Sequence, residues 1–96
     1  MSKSQKFASV WDAIEDTPEE AEHMKLRSSL MMSLQNHIKK KDLTQAQAAA
    51  LFGVTQPRIS DLVRGKINVF GIETLVSMAA AAGFTVEIKM KPAQAA

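Results

Sequence analysis

Apolar residues recur along most of the chain at helical spacing and, near its end, at the spacing of a strand. The stretch TPEEAEHMKLRSSLMMSLQNHIKK predicts a long helix, because Thr17 can cap it and Pro18 suits its first turn. Its regular apolar stripe lies mainly in the second half, so we expect the first half to project beyond the core. An earlier stretch, SQKFASVWDAIED, predicts a short helix with four apolar residues on one face: Phe7, Val10, Trp11 and Ile14.

The middle of the chain, LTQAQAAALFGVTQPRISDLVRGK, predicts two short helices that meet at a tight corner. Thr44 can cap a helix over residues 45–52. The chain can then turn out of that helix at Gly53, because glycine adopts a left-handed backbone with the least steric strain. Thr55 can cap the next helix through the N–H of Arg58, because Pro57 has no N–H to offer. Three apolar residues of the second helix are expected to turn inward: Ile59, Leu62 and Val63.

The last part of the chain predicts one more helix and a short strand. GIETLVSMAAAAGF has a helical apolar pattern between Gly71 and Gly83. FTVEIKMKP alternates apolar and polar residues, which is typical of a half-buried strand. The predicted fold class is an all-α bundle of about five helices with a short C-terminal β-strand that pairs across a dimer. We expect an N-terminal arm over residues 1–25, a helical domain over 26–83, and the strand and tail over 84–96.

The amino-acid composition limits the classes of protein to which this chain could belong. With 96 residues, 46% apolar and 23% charged, the chain is expected to form one small globular domain. It has no cysteine, which excludes disulfides and thiolate metal sites and fits a reducing cytoplasm. No stretch has the pattern of a membrane span or a signal peptide. No pair of residues suggests a nucleophile and its base, so no enzyme is expected. His23 and His37 are fourteen residues apart with no third ligand at metal spacing, and no glycine loop could cradle a phosphate, so no metal or cofactor is expected and no small-molecule ligand is evident.

Charge is distributed unevenly between the arm and the rest of the chain. Residues 1–24 have a net charge of −4, with two lysines against six acidic residues, whereas residues 25–96 have +6, with ten basic residues against four acidic. This pattern indicates either two surfaces with different partners or ordinary variation of surface charge.

The corner predicts a helix-turn-helix unit, whose second helix enters the major groove of DNA. The segment TQAQAAALFGVTQPRISDLVRGK resembles the DNA-binding unit of the Cro/repressor (XRE-like) family. The resemblance covers about residues 26–83 and is carried by five small or apolar positions: Ala49, Gly53, Val54, Ile59 and Leu62.

The wider layout resembles a narrower group. An acidic segment with a tryptophan, a helix-turn-helix unit and the C-terminal VEIKMKP are together similar to HigA-like antitoxins of type II toxin–antitoxin modules. That resemblance implies a homodimer that binds its own double-stranded operator DNA and neutralises a RelE-like or HigB-like ribonuclease toxin. The alternatives are a stand-alone transcriptional regulator and an interaction protein without DNA binding.

The second helix of the unit contains the residues expected to read DNA. Gln56 can form a bidentate pair with adenine, and Arg58 can reach guanine or a phosphate. Asp61 either accepts a hydrogen bond from cytosine or pairs with Arg58 or Arg64. The resemblance implies that residues after this helix clamp the phosphate backbone, although Lys66 could also be a solvated lysine. The predicted DNA-binding residues are Gln45, Thr55, Gln56, Pro57, Arg58, Ser60, Asp61, Arg64, Lys66 and Asn68.

Two further surfaces are predicted from apolar residues at the ends of the chain. Trp11 either pins the arm to the body or anchors the toxin partner. The predicted partner-binding residues are Phe7, Val10, Trp11, Ile14 and Arg27. The predicted dimer contacts are the strand residues Val86, Ile88 and Met90, although the same strand could pair with an edge of the toxin's sheet.

Overall fold

A computed structural model of the protein describes residues 17–93, which fold into four α-helices and one short 3₁₀ helix. These elements are α1 (Pro18–Lys40), α2 (Gln45–Phe52), α3 (Gln56–Val63), the 3₁₀ helix Ile67–Val69 and α4 (Ile72–Ala81). The long α1 packs against α4, while α2 packs against both α3 and α4. The short helix predicted around Trp11 lies outside the described residues. Over residues 17–93, no helix is long and apolar enough to cross a membrane.

The predicted fold class is wrong in two respects. Residues 17–93 form four α-helices instead of about five, and residues 84–93 contain no β-strand. A strand requires a neighbour that accepts and donates its backbone hydrogen bonds, and the described chain offers none beside this segment. The C-terminal segment instead packs through its first residues. Val86 is half-buried against the helical core, whereas Met90 is 93% exposed.

Helix α1 starts where its sequence predicts. The Thr17 hydroxyl oxygen accepts a hydrogen bond from the backbone N–H of Glu20 at 3.0 Å, and Pro18 occupies the first turn. Every residue from 17 to 25 is exposed, while Met31 and Leu34 in the second half are buried. The first two turns of α1 therefore extend beyond the core, as the apolar stripe predicts.

All four helices end with the same backbone arrangement, in which two N–H groups just beyond the helix bond to carbonyls of its last turn. A residue one or two positions beyond the end of each helix has a left-handed backbone. Three of these residues are glycines, including Gly53 at φ 72°, and the fourth is Asp42 at φ 53°. Aspartate tolerates this conformation better than most residues, so the sharp turn between α1 and α2 forms without glycine.

The core lies where the four helices meet. Phe70 and Leu75 are fully buried on either side of the start of α4, at the two positions of a hydrophobic staple around Gly71. The prediction for Val63 is wrong, because this side chain is 49% exposed at the last turn of α3. The six largest fully buried side chains are Phe52, Ile59, Leu62, Phe70, Leu75 and Met78.

Candidate nucleic-acid interface

The corner between α2 and α3 is fixed by caps on both helices. The Thr44 hydroxyl oxygen accepts from the N–H of Gln47 at 3.0 Å, and the Gln47 amide oxygen accepts from the N–H of Thr44 at 2.9 Å. This reciprocal capping box sets the start of α2. Thr55 caps α3 by accepting from the N–H of Arg58 at 3.4 Å, as predicted. Gly53 lies between the two helices, so the direction of α3 is set by local backbone geometry.

Helix α3 has one fully buried side and one polar side. Ile59 and Leu62 are 0% exposed and fix the helix on the core. Gln56 and Pro57, at its first turn, are exposed. Because α3 is fixed on the core along one side, the exposed Gln56 amide at its first turn is accessible to a partner surface. This geometry agrees with the predicted position of Gln56.

Arg58 does not point freely into solvent. Its Nη1 donates a hydrogen bond to the backbone oxygen of Val69 at 3.2 Å. Its guanidinium carbon lies 4.9 Å from the centroid of the Phe70 ring, which is the geometry of a cation–π contact. The sequence predicted a contact with guanine or phosphate, whereas the structure directs this side chain at the segment that follows α3.

Asp61 has an ion-pair partner other than the two considered from the sequence. Its Oδ1 lies 3.8 Å from Nζ of Lys66, and neither Arg58 nor Arg64 pairs with it among the described residues. Lys66 lies beyond the end of α3, where the N–H of Lys66 also donates to the carbonyl of Asp61 at 3.0 Å. The chain reverses there, and this reversal brings Lys66 back beside α3. The ion pair is partly exposed and is therefore weak.

Comparison with known proteins agrees with this geometry. The sequence profile of a family described as "Helix-turn-helix domain" matches residues 13–91. The chain belongs to the helix-turn-helix domain family. A solved structure assigned to the XRE family of transcriptional regulators is 32% identical to it, with a TM-score of 0.70 over 80% of this chain and 90% of that one. This agreement supports an XRE-like unit, and no curated protein sequence matches the chain.

The remaining predicted DNA-binding residues of this helix-turn-helix domain lie at the start of α2, within α3 or after the end of α3. Gln45 is exposed at the start of α2, and Ser60 is half-buried within α3. Arg64 is exposed at the end of α3, and Asn68 is exposed within the 3₁₀ helix. The helix-turn-helix domain thus presents free polar side chains before, on and after α3.

One contact that positions α3 was missed by the sequence interpretation. Gln35 of α1 donates from Nε2 to the backbone oxygen of Leu62 at 2.8 Å. That carbonyl also accepts from the backbone N–H of Gly65 at 3.0 Å, so the bond from Gln35 adds a second donor at the end of α3 and joins two helices that are distant in sequence. A signal was present in the sequence, because Gln35 is four residues after Met31 and three before Ile38, on the apolar side of α1.

The other predicted surfaces are described only in part. The arm residues Phe7, Val10, Trp11 and Ile14 lie outside the described residues. Arg27 is half-buried on α1. Of the predicted dimer contacts, Val86 is half-buried against the core, while Ile88 is 59% exposed. His37 lies edge-on to Phe84 with ring centroids 4.9 Å apart, so the start of the C-terminal segment is held against α1.

Proposed function

We propose that this helix-turn-helix domain is a DNA-binding transcriptional regulator that inserts α3 into the major groove of a double-stranded operator. The observation that carries the proposal is the two-sided character of α3. Ile59 and Leu62 are fully buried, whereas Gln56 is exposed at the N-terminal end of α3. In this family of units the N-terminal residues of the recognition helix contact the base edges. The likeness to a protein assigned as an XRE family transcriptional regulator supports the same function.

In this proposal, Gln56 reads a base and the residues around α3 hold the phosphate backbone. A glutamine amide can donate to N7 and accept from N6 of adenine in the major groove, which gives specificity. Arg64, Lys66 and Asn68 supply a cationic and polar edge, which gives affinity without specificity. Lys66 is 49% exposed at its side chain, so it can turn from Asp61 towards a phosphate at little cost.

Replacing Gln56 with alanine is expected to weaken binding to the preferred site by about 1–3 kcal/mol and to relax the preference at one base pair. Lys66→Ala is expected to weaken binding to all sequences alike and to reduce the salt slope by about one unit. Gel shifts at several salt concentrations, on the preferred site and on base-substituted sites, measure both effects. Asn36→Ala, an exposed amide on α1, is the control. Unchanged affinity and specificity in Gln56→Ala would mean that α3 does not read DNA through its first turn.

We further propose that the regulator is an antitoxin that represses its own operon and neutralises a RelE-like or HigB-like ribonuclease. The acidic residues support this, because a net charge of −4 over residues 1–24 repels DNA but complements a basic RNA-binding cleft. Three of the six acidic residues, Glu19, Glu20 and Glu22, lie on the exposed first turns of α1. Co-expression with the neighbouring gene product tests the proposal. A stable complex with a small basic protein supports an antitoxin, and its absence favours a stand-alone regulator.

A homodimer is also proposed, with contacts between exposed apolar side chains of the C-terminal segment. Ile88 and Met90 are 59% and 93% exposed, and two recognition helices would serve two half-sites about one turn of DNA apart. Replacing both residues with aspartate is expected to weaken dimerisation by at least about 2 kcal/mol, because the buried apolar area is lost and the new carboxylates would have to be desolvated in the interface. Sedimentation at micromolar concentration measures this, with Met32→Asp on α1 as the control. A double variant that stays dimeric would place the interface elsewhere.

A further inference from the structure

The segment that follows α3 has little structure of its own. The 3₁₀ helix Ile67–Val69 has no buried residue and no side-chain cap at its start. Its two closing backbone bonds, from the N–H groups of Val69 and Phe70, are both 3.2 Å long. Short 3₁₀ turns have poor hydrogen-bond geometry, so external contacts must determine how this one is held.

Two side chains of α3 supply such contacts, one near each end of the segment. Arg58 bonds to the backbone oxygen of Val69 at 3.2 Å and covers the ring of Phe70 at 4.9 Å. Asp61, one turn later on the same side of α3, pairs with Lys66 at 3.8 Å. The exposed Asn68 lies between the two points of attachment. Ile67 packs against the core, and the two ends of the segment are held by α3.

We propose that Arg58 is a positioning residue that holds residues 66–69 in the conformation that contacts phosphate, and that it does not read a base. The inference rests on the proposed DNA-binding function. A base-reading arginine presents two free N–H groups to the O6 and N7 of guanine. Nη1 of Arg58 is engaged by Val69, and the face of its guanidinium lies on Phe70.

The chemistry of the contact explains why arginine is required. A planar guanidinium can cover an aromatic ring and donate in its own plane at the same time, whereas the lysine ammonium is a compact, strongly hydrated charge. Arg58→Lys therefore keeps the charge but loses the contact with the ring and the carbonyl. Arg58→Met keeps an unbranched apolar stem over Phe70 and loses the charge. Comparison of the two separates the effect of charge from that of positioning.

The test uses the full chain and the duplex that it enriches from a random DNA pool. Both Arg58 variants are expected to lose about tenfold in affinity on the enriched site and on its base-substituted versions alike, with an unchanged order of preference. In the free protein, the amides of Val69 and Phe70 are expected to exchange with solvent about tenfold faster. Arg64→Met is the control and should reduce affinity and salt slope without changing this exchange. All binding is measured at a temperature at which thermal melting shows each variant to be folded.

A double variant tests whether Arg58 acts through the segment. Asn68→Ala should weaken DNA binding in the native background and have little further effect in Arg58→Met, because the segment is then already displaced. Full affinity in Arg58→Lys, or independent losses in the double variant, would show a direct phosphate contact. Loss of preference at a single base pair in Arg58→Met would show base reading. If the native chain enriches no DNA, the proposed function fails, while unchanged amide exchange in Arg58→Met overturns the positioning role itself.

Discussion

Phe52→Ala is expected to lower the free energy of unfolding by about 3–5 kcal/mol, one of the two largest single-residue effects predicted for this protein. Phe52 is 1% exposed at the end of α2, within the core shared by all four helices. Alanine removes most of its buried apolar area and leaves a cavity that these short helices cannot fill by small shifts. Since small domains are stable by only about 5–15 kcal/mol, the corner that presents α3 is expected to lose much of its stability.

Urea unfolding followed by circular dichroism at a fixed protein concentration measures this change. Phe52 and Phe84 both lie edge-on to His37, with ring centroids 6.3 Å and 4.9 Å from it. Phe84→Ala is the matched control, because Phe84 is 44% exposed. It is expected to cost less than half as much, since less apolar area returns to water. Equal costs for the two variants would mean that the aromatic contacts with His37, and not burial, determine the effect. A changed denaturant slope would indicate that the unfolded or native state has also changed.

The corner could be predicted from sequence because each of its signals acts over a few residues. Thr44, Gly53 and Thr55 each form the cap or turn that their residue type favours, and Ile59 and Leu62 are buried at the predicted helical spacing. The capping and turn preferences of these residues and the spacing of the apolar residues predict the same backbone conformation, so the structure of the corner depends little on distant parts of the chain. The same agreement explains why α1, α2 and α4 begin close to their predicted residues.

Contacts that form where the chain turns back after α3 could not be predicted from the spacing of residues along one helix. The sequence predicts a DNA contact for Arg58 but does not show that the chain returns Val69 and Phe70 to its side chain. The partner of Asp61 was missed for the same reason, since Lys66 lies beyond the end of α3 and approaches through that reversal. Alternation in residues 84–90 has the period of a strand, but period alone supplies no hydrogen-bonding neighbour. The segment packs by its first residues instead.

The identity of individual DNA contacts also depends on geometry that sequence spacing does not contain. Gln56 and Arg58 both lie in the first turn of α3, and residue type alone makes both of them candidates for base reading. Only the fold separates them, by leaving the Gln56 side chain exposed and engaging that of Arg58. For Gln35, the position along α1 indicates that the side chain faces the core. The sequence does not show which group accepts its hydrogen bond, because the carbonyl of Leu62 comes beside it only in the folded chain.

Trp11→Ala is expected to weaken binding of the proposed toxin by about 2 kcal/mol or more, while operator binding by the free regulator stays close to normal. Tryptophan is a frequent anchor of protein interfaces, and the acidic residues around Trp11 would speed association with a basic partner. The helix that the sequence predicts over residues 7–14 is short, and isolated helices of that length are marginal unless they pack against another surface. The resulting block of the ribonuclease would be steric or would displace catalytic groups.

Calorimetry with the neighbouring gene product, beside a gel shift with operator DNA, measures the two activities of Trp11→Ala separately. Trp11→Phe is the matched variant and should recover a large part of the affinity, because phenylalanine keeps an aromatic ring and much of the apolar area of tryptophan. Thermal melting shows whether the helical body remains folded. Unchanged toxin affinity would mean that neutralisation depends on another surface. Loss of folding would instead identify the arm as a structural element that is pinned to the body by Trp11, the second role that its apolar neighbours allow.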